Sequence, residues 1–147
     1  MLLLISVSVS TAMADDARWK VVKPRIVEDT FTEVQWTQRD NLGDINFNDA
    51  KAYCAGLSLE GAGWRLPTMN ELSQLYSGAQ GNKVPCAGEA QCLAPKGFYL
   101  TGAWFWSSEQ GNSASEAWSF ALGGGTRLAH AVSSAGNRRA LCVRQRS

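Results

Sequence analysis

The sequence contains a single histidine, His130, and no pair of cysteines with the close Cys-x-x-Cys spacing of zinc ligands. The sequence therefore lacks the usual cysteine and histidine ligands of a zinc site. A serine or cysteine nucleophile would have only one candidate histidine base. We expect the chain to bind no metal, to use no cofactor and to be no enzyme. The formal net charge is +1, and we expect no nucleic-acid partner.

No apolar run reaches the roughly 20 residues of a membrane-spanning helix, so we expect no membrane span. The first fourteen residues, Met1 to Ala14, are uncharged and end in the small-residue stretch Thr11-Ala12-Met13-Ala14. This pattern is typical of a secretory signal peptide cleaved before Asp15, but its basic start is missing, so the true start codon lies upstream or the signal is atypical. We expect residues 1–14 to be a signal peptide and residues 15–147 to be one exported domain, periplasmic or at the cell surface and extracellular.

No acidic residue follows Glu116, whereas arginine is frequent there: Arg127, Arg138, Arg139, Arg144 and Arg146. Two arrangements are compatible with this asymmetry. In the first, the arginines form a basic face or edge that is available to a partner. In the second, the N-terminal half folds against them and its carboxylates pair with these arginines.

Four cysteines in an exported chain of about 130 residues indicate two disulfides. Cys86 and Cys92 lie within Ser77 to Gly102, a stretch rich in Gly, Pro, Lys and Asn that has no clear period. A segment of this length is usually a binding loop or disordered. We expect a long irregular loop that a short disulfide staples.

Two short helices are predicted from capping residues and apolar spacing. Asn46 can cap a helix over Phe47 to Leu57, whose apolar residues fall on one face. Thr68 and Glu71 have the spacing of a capping box at the start of a second helix, over Met69 to Tyr76. We expect each helix to bury its apolar stripe.

Strand patterns occur near both ends of the chain. Val34 and Trp36 alternate with polar neighbours, which is the period of a half-buried strand. After residue 103, apolar segments separated by glycine- and serine-rich turns predict an antiparallel meander. Its strands are expected at Trp104–Trp106, Ala117–Leu122, Thr126–Val132 and Arg139–Arg144.

Tryptophan is abundant for a domain of this size, and most of these side chains are expected in the core. A buried indole removes a large apolar surface from water and needs a partner for its N–H group. We assign Trp36, Trp64 and Trp106 to the core, and we expect Trp104 or Phe105 to be exposed because adjacent strand residues face opposite ways. Arg65 is expected to donate hydrogen bonds to loop carbonyls.

Five blocks of the sequence resemble, in order, the successive motifs of the Lcl C-terminal domain family, a bacterial domain family of unknown function. The resemblance covers residues 27–144, and the blocks are Val34-Gln35-Trp36, Ala50–Leu57, Gly63-Trp64-Arg65-Leu66-Pro67-Thr68, Phe105-Trp106-Ser107-Ser108 and Cys142-Val143-Arg144. The layout is similar to the C-type lectin-like fold, an α+β fold with two short helices packed on antiparallel strands and a long disulfide-stapled loop. This implies that Cys54 pairs with Cys142 and Cys86 with Cys92.

The family resemblance implies attachment to polyanionic glycans through basic residues. C-type lectin-like domains often hold a calcium ion with Glu-Pro-Asn or Gln-Pro-Asp followed by Trp-Asn-Asp, whereas here Trp106 is followed by two serines. We therefore expect binding without calcium. The candidate binding residues are Trp104, Glu109, Arg127, His130, Arg138, Arg139 and Arg144, next to the loop of residues 77–102.

These observations predict a secreted or periplasmic, non-catalytic binding module that recognises a glycan or a protein surface. The alternative is a structural subunit of an envelope or pilus assembly, or a periplasmic inhibitor or immunity protein. Formylglycine-generating enzymes share this fold class, but they use a pair of reactive cysteines late in the chain, where this sequence has only Cys142. Self-association into a homo-oligomer stays open.

Overall fold

The computed structural model describes residues 17–88 and 90–146. The predicted signal peptide, residues 1–14, lies outside the described residues. Helices and mostly antiparallel strands give this part of the chain an α+β architecture. The elements are β1 (Trp19–Lys23), β2 (Ile26–Asp29), β3 (Val34–Thr37), α1 (Phe47–Ala55), α2 (Met69–Gly78), β4 (Lys83–Ala87), β5 (Ala90–Leu93), β6 (Trp104–Gln110), β7 (Glu116–Ala121), β8 (Arg127–Ala131), β9 (Arg138–Arg139) and β10 (Val143–Gln145).

Helix α1 starts where the sequence predicts. The Asn46 side chain accepts a hydrogen bond of 2.9 Å from the Asp49 amide, which satisfies one of the free N–H groups at the helix start. The helix ends at Ala55, two residues before the predicted end at Leu57. Gly56 forms the C-cap, and the Leu57 amide turns back to the Cys54 carbonyl at 3.1 Å, so the last turn tightens instead of continuing.

Helix α2 has the predicted capping box and is longer than predicted. The Glu71 amide donates to the Thr68 hydroxyl at 3.1 Å, and the Thr68 amide donates to the Glu71 carboxylate at 2.8 Å. The helix continues past Tyr76 to Gly78. A Cβ atom at position 78 would lie 2.9 Å from the Trp19 ring, so this glycine allows the last turn to pack closely on the indole.

Over residues 17–88 and 90–146, the strands form two four-stranded sheets and one hairpin. The first sheet has the order β1-β2-β3-β10 and is antiparallel, and the other has the order β8-β7-β6-β9. The predicted meander is confirmed for β6, β7 and β8. The predicted last strand, Arg139–Arg144, is wrong. It is two strands, because the fully buried residues Ala140–Cys142 carry the chain from β9, parallel to β6, to β10, antiparallel to β3.

Strand β3 is buried on both faces, so the expectation of a half-buried strand is wrong. Gln35 is 8% exposed and Thr37 is 5% exposed. Gln35 donates to Glu28 at 3.1 Å and accepts from Arg144 at 2.9 Å, while the Thr37 hydroxyl accepts from the Cys142 amide at 3.1 Å. Because these polar groups have partners, the polar face can be buried without loss of hydrogen bonds.

The apolar core has two parts. One lies under α2 and the hairpin and contains Trp36, and the other lies under α1 and contains Trp64 and Trp106. These three indoles are 2%, 3% and 0% exposed, which confirms their assignment to the core. The Trp64 indole N–H donates to the Leu59 carbonyl at 3.0 Å and that of Trp106 to the Ile45 carbonyl at 2.7 Å, as buried indoles require.

Both disulfide pairings are confirmed. Cys54 of α1 is bonded to Cys142, 88 residues away, and Cys86 of β4 is bonded to Cys92 of β5. The stretch of residues 77–102 is stapled as predicted, but it is not irregular throughout, since β4 and β5 pair as an antiparallel hairpin. Strand β4 buries Val84 and Cys86 and exposes Lys83, Pro85 and Ala87, which is the alternation of a strand.

Candidate functional site

Three of the predicted site residues, Trp104, His130 and Arg138, lie together. The rings of Trp104 and His130 meet edge to face with centroids 5.6 Å apart, and the Arg138 guanidinium lies 5.5 Å from the centroid of the Trp106 ring. Arg138 donates to Nδ1 of His130 and, at 2.9 Å, to the Ser134 hydroxyl. This cluster brings together side chains from β8, β6 and β9 of one sheet.

The charge state of this cluster follows from its hydrogen bonds. A guanidinium can only donate, so Nδ1 of His130 accepts and the ring proton sits on Nε2. Burial lowers the pKa of His130, and the charge of Arg138 lowers it further, so the imidazole is neutral at pH 7. Burial also lowers the pKa of Arg138. Nε2 of His130 and Nε of Arg138 have no hydrogen-bond partner within the described ranges.

Arg139 makes internal contacts. Its guanidinium forms an ion pair with Asp44 and donates to the Thr101 hydroxyl at 3.1 Å. A hydrogen bond from the Asn137 backbone and one from Arg139 lower the pKa of Asp44. Arg139 therefore ties the loop before α1 to the segment before β6, two parts of the chain that are distant in sequence.

Arg144 and Arg146 also bond to the N-terminal half. The Arg144 guanidinium lies 4.5 Å from the centroid of the Trp64 ring and donates to the Glu60 carbonyl at 2.9 Å. Arg146 pairs with Glu28 at 3.3 Å and with Glu33 at 2.7 Å. For Arg139 and Arg146, the arrangement present is therefore the one in which carboxylates of the N-terminal half pair with the late arginines.

Glu109 and Arg127 lie apart from the His130 cluster, in a recess of about 300 Å³ that they share with Trp118. The Glu109 carboxylate accepts a hydrogen bond of 2.8 Å from the amide of Met69, the first residue of α2. A carboxylate here stabilises the positive end of the helix dipole. The Arg127 guanidinium lies 5.8 Å from the centroid of the Phe120 ring.

A larger open recess lies beside the β4–β5 hairpin. This hairpin groove has a volume of about 520 Å³ and is lined by Arg39, Leu42, Asn82, Lys83, Val84, Pro85, Lys96, Gly97, Phe98, Tyr99, Leu100 and Thr101. Three of these side chains are cationic, and no carboxylate belongs to the described lining. Lys83 and Lys96 are exposed and form no ion pair with any residue in the ranges 17–88 and 90–146. The groove therefore presents positive charge to the solvent.

The groove also has an apolar component. Tyr99 is 60% exposed and Leu42 is 62% exposed. The Arg39 guanidinium lies 5.7 Å from the centroid of the Tyr99 ring, which is within the range of a cation–π contact. Exposed aromatic and aliphatic side chains next to cations suit an anionic ligand that also carries apolar surface.

The residues around Tyr99 are fixed by packing and hydrogen bonds. Phe98 is buried edge to face against Trp19 and Trp36, with centroids 6.3 and 6.2 Å apart. The Tyr99 amide donates to the Gln38 carbonyl at 2.8 Å. Because Phe98 points into the core, Tyr99 points out, and the groove is held in place before any ligand arrives.

The other wall of the groove is held by polar contacts at two points. Asp40 is 2% exposed and accepts from the Thr101 amide at 2.7 Å and from its hydroxyl at 2.6 Å. Asn82 donates to the Ala94 carbonyl at 2.7 Å, and the Cys86–Cys92 bond holds the hairpin.

Sequence reasoning pointed to this loop but missed Arg39, Lys83, Lys96 and Tyr99 as lining residues. The available signal for Tyr99 was its place between two other apolar residues, Phe98 and Leu100, because alternate residues of an extended segment face opposite ways.

Metal ligands and membrane-spanning helices were both expected to be absent. Across residues 17–88 and 90–146, no group of three or more His, Cys, Asp or Glu side chains is arranged to hold a metal ion. The same ranges contain no helix of the length and apolarity required to cross a membrane. The expectation of a protein without metal or cofactor stays a prediction.

The model of the Lcl C-terminal domain family matches residues 25–144. The chain therefore belongs to the Lcl C-terminal domain family, as its motifs predict. The match runs from the residue before β2 into β10 and includes both disulfides and every lining residue of the hairpin groove. A search of curated proteins gives no match.

Proposed function

We propose that this protein is a calcium-independent, non-catalytic binding module that holds a polyanionic glycan in the hairpin groove. The observation that carries the proposal is the charge of the groove, where Arg39, Lys83 and Lys96 line about 520 Å³ without a carboxylate among the described lining residues. Exposed cationic side chains that are clustered together attract anions and raise the local concentration of those anions. The arginines predicted from the sequence, Arg138, Arg139 and Arg144, would then support the fold, and of these Arg139 contacts Thr101 in the groove lining.

Two features favour binding over catalysis. All four cysteines are in disulfides, so no thiol is available as a nucleophile. The single histidine accepts a hydrogen bond from Arg138 through Nδ1, and its Nε2 is buried. General-base catalysis needs a group within reach of the substrate proton.

We also propose that the architecture is the C-type lectin-like fold and that the protein is exported to the periplasm or the cell surface. The bond from Cys54 in α1 to Cys142 next to β10 supports the fold, as does the stapled hairpin between α2 and β6. Two disulfides favour an oxidising compartment. An experimental structure superposed on C-type lectin-like domains tests the fold, and fractionation of the native host tests the location.

The exposed apolar side chains favour a second candidate partner, an acidic protein surface in an envelope or pilus assembly. Leu42 and Tyr99 would add apolar contacts that a sulfated glycan uses less than a protein does. Under this alternative, Tyr99→Ser weakens the complex as much as loss of a lysine. Under the glycan proposal, Tyr99→Ser has a smaller effect than loss of Lys83 or Lys96.

The test is the dissociation constant for a heparin-derived octasaccharide, measured by biolayer interferometry over a series of salt concentrations. We expect Lys83→Gln with Lys96→Gln to weaken binding about tenfold or more and to reduce its salt dependence, because two charges facing the ligand are removed. The matched control is Lys20→Gln with Lys51→Gln, which removes two exposed lysines outside the groove. Equal losses in both double variants would contradict a site at the groove.

A further inference from the structure

Another recess, the helix–sheet cleft, lies between helix α2 and the β1-β2-β3-β10 sheet. It has a volume of about 440 Å³. The apolar part of its lining comes from Trp19, Val34 and Trp36, which are 8%, 7% and 2% exposed. It shares no lining residue with the hairpin groove, so the two recesses are separate.

The charged groups that line the helix–sheet cleft are already paired. Arg65 donates to both carboxylate oxygens of Glu71, at 2.7 and 3.0 Å, and Arg18 donates to both oxygens of Asp29, at 2.8 and 2.7 Å. Burial opposes ionisation of Glu71, but the hydrogen bonds from Arg65 and Thr68 outweigh it and lower the pKa of Glu71. Among its described lining residues the cleft therefore has no unpaired charge.

Three amide side chains line the same cleft and are available. Asn70 and Gln74 are four residues apart on α2, so they share a helix face, and Gln145 belongs to β10. Their side chains form no hydrogen bond with the residues of the described ranges. Each amide has two N–H donors and a carbonyl oxygen with two lone pairs. The cleft thus combines uncharged donors and acceptors with an apolar base.

The wall that carries Asn70 and Gln74 is fixed at its start. The capping box of Thr68 and Glu71 and the hydrogen bond from the Met69 amide to Glu109 hold the first turn of α2. The Arg65 guanidinium also donates to the Leu66 carbonyl at 3.2 Å. Because this part of the helix is already ordered, its backbone loses little conformational freedom when a ligand binds to these side chains.

We propose that the helix–sheet cleft binds one uncharged pyranose unit. A pyranose has an apolar C–H face, which suits the base of the cleft, and hydroxyl groups that donate and accept, which suit the three amides. The volume of the cleft is within the range of about 300–1,000 Å³ that is common for small-ligand sites. The arginines at the cleft are already paired with Asp29 and Glu71, so no free cation is left among its described lining residues to hold an anion, and the ligand class differs from that of the hairpin groove. This inference does not rest on the proposed function.

The test is a ¹H–¹⁵N NMR titration of the full chain with the methyl glycosides of glucose, galactose, mannose and N-acetylglucosamine. We expect at least one glycoside to give saturable shifts at the side-chain amides of Asn70, Gln74 and Gln145. Gln74→Ala and Gln145→Ala should each weaken that binding about tenfold, the effect of losing roughly one good hydrogen bond. Both side chains lack internal partners, so the variants should stay folded. Gln91→Ala, an exposed amide on β5, is the matched control and should bind like wild type.

Three results would overturn the proposal. The first is the absence of saturable shifts at the cleft with all four glycosides. The second is an equal loss of affinity in Gln91→Ala and Gln74→Ala. The third is binding of a blocked peptide, N-acetylglycine methylamide, at the cleft while no glycoside binds. The variant Lys83→Gln with Lys96→Gln should keep glycoside binding, so a failure of the groove and a failure of the cleft are distinguishable.

Discussion

At the scale of single residues, the late arginines hold distant segments of the chain together. Arg144 has the most extensive contacts. Its guanidinium stacks on Trp64 and donates to the Gln35 side chain at 2.9 Å and to the Leu59 carbonyl at 3.2 Å. Only a planar guanidinium can stack and donate in several directions at once, whereas lysine has one point charge.

We expect Arg144→Ala to lower the free energy of unfolding by about 2 kcal/mol, because a half-buried donor with several carbonyl and side-chain partners is lost. Arg144→Lys should recover only part of this loss. Arg127→Ala, at an exposed position on β8, is the control and should change it by less than about 0.5 kcal/mol. Urea unfolding measures all three. If Arg144→Ala is as stable as wild type but binds the glycan more weakly, Arg144 is a ligand contact.

His130 gives the protein a pH dependence that one substitution can isolate. Burial and the charge of Arg138 lower the pKa of His130 in the folded protein below the value of 6.5 in the unfolded chain. The unfolded chain therefore binds more protons in this window, and stability is present above about pH 6.5 and lost as the pH falls toward the folded pKa. The carboxylates with lowered pKa, such as Asp29 and Glu71, lose their contributions only at more acidic pH.

His130→Gln should flatten the melting temperature between about pH 7 and pH 5, because glutamine keeps an acceptor for Arg138 but does not titrate. Thermal unfolding at several pH values measures this. The chain has no other histidine, so no second imidazole contributes to the pH dependence of the melting temperature. A wild-type melting temperature that is constant over this range would contradict the pairing of His130 with Arg138.

At the scale of elements, the two disulfides act on different regions. The Cys54–Cys142 bond joins α1 to the segment between the two sheets, across 88 residues. The Cys86–Cys92 bond spans 6 residues and acts within the hairpin. In the chain-entropy model, the longer loop gives the larger stabilisation.

Replacing Cys86 and Cys92 by alanine should cost about 2 kcal/mol, and replacing Cys54 and Cys142 about 4–5 kcal/mol, from loop entropy alone. Hydrogen exchange should accelerate at residues 83–93 in the first variant, whereas the second should loosen both sheets. The first variant should also bind the octasaccharide more weakly, because the groove wall loses order. Unchanged exchange in the hairpin would contradict a role of the short disulfide in holding the groove.

The elements differ in how far they could be predicted from sequence. Both helix starts were predictable because each cap contacts a residue three positions away. The arginine partners were not, since Arg139 and Asp44 are 95 residues apart and Arg146 and Glu28 are 118 apart. The split of the last strand also depends on packing between two sheets, which no local pattern encodes.

At the scale of the whole molecule, the hairpin groove and the helix–sheet cleft differ in the charge that they present. In the helix–sheet cleft the charged groups are paired, while the hairpin groove has Lys83 and Lys96 without ion pairs among the described residues. The sequence predicted the loop as a binding face from its length and its disulfide. It could not predict Arg39 in the groove, because a β-bridge places Arg39 beside Tyr99, which is 60 residues away in the sequence.

Mapping the glycan on the protein by ¹H–¹⁵N NMR would show directly whether the hairpin groove holds it. A heparin-derived tetrasaccharide is titrated into the labelled full chain at low salt, and the backbone and arginine side-chain signals are followed. We predict saturable shifts that cluster at Arg39, Lys83, Lys96 and Tyr99. Shifts that cluster instead at Arg127 on β8, or at Arg138 and Arg139 on β9, would contradict this prediction and would move the site to one edge of the β8-β7-β6-β9 sheet.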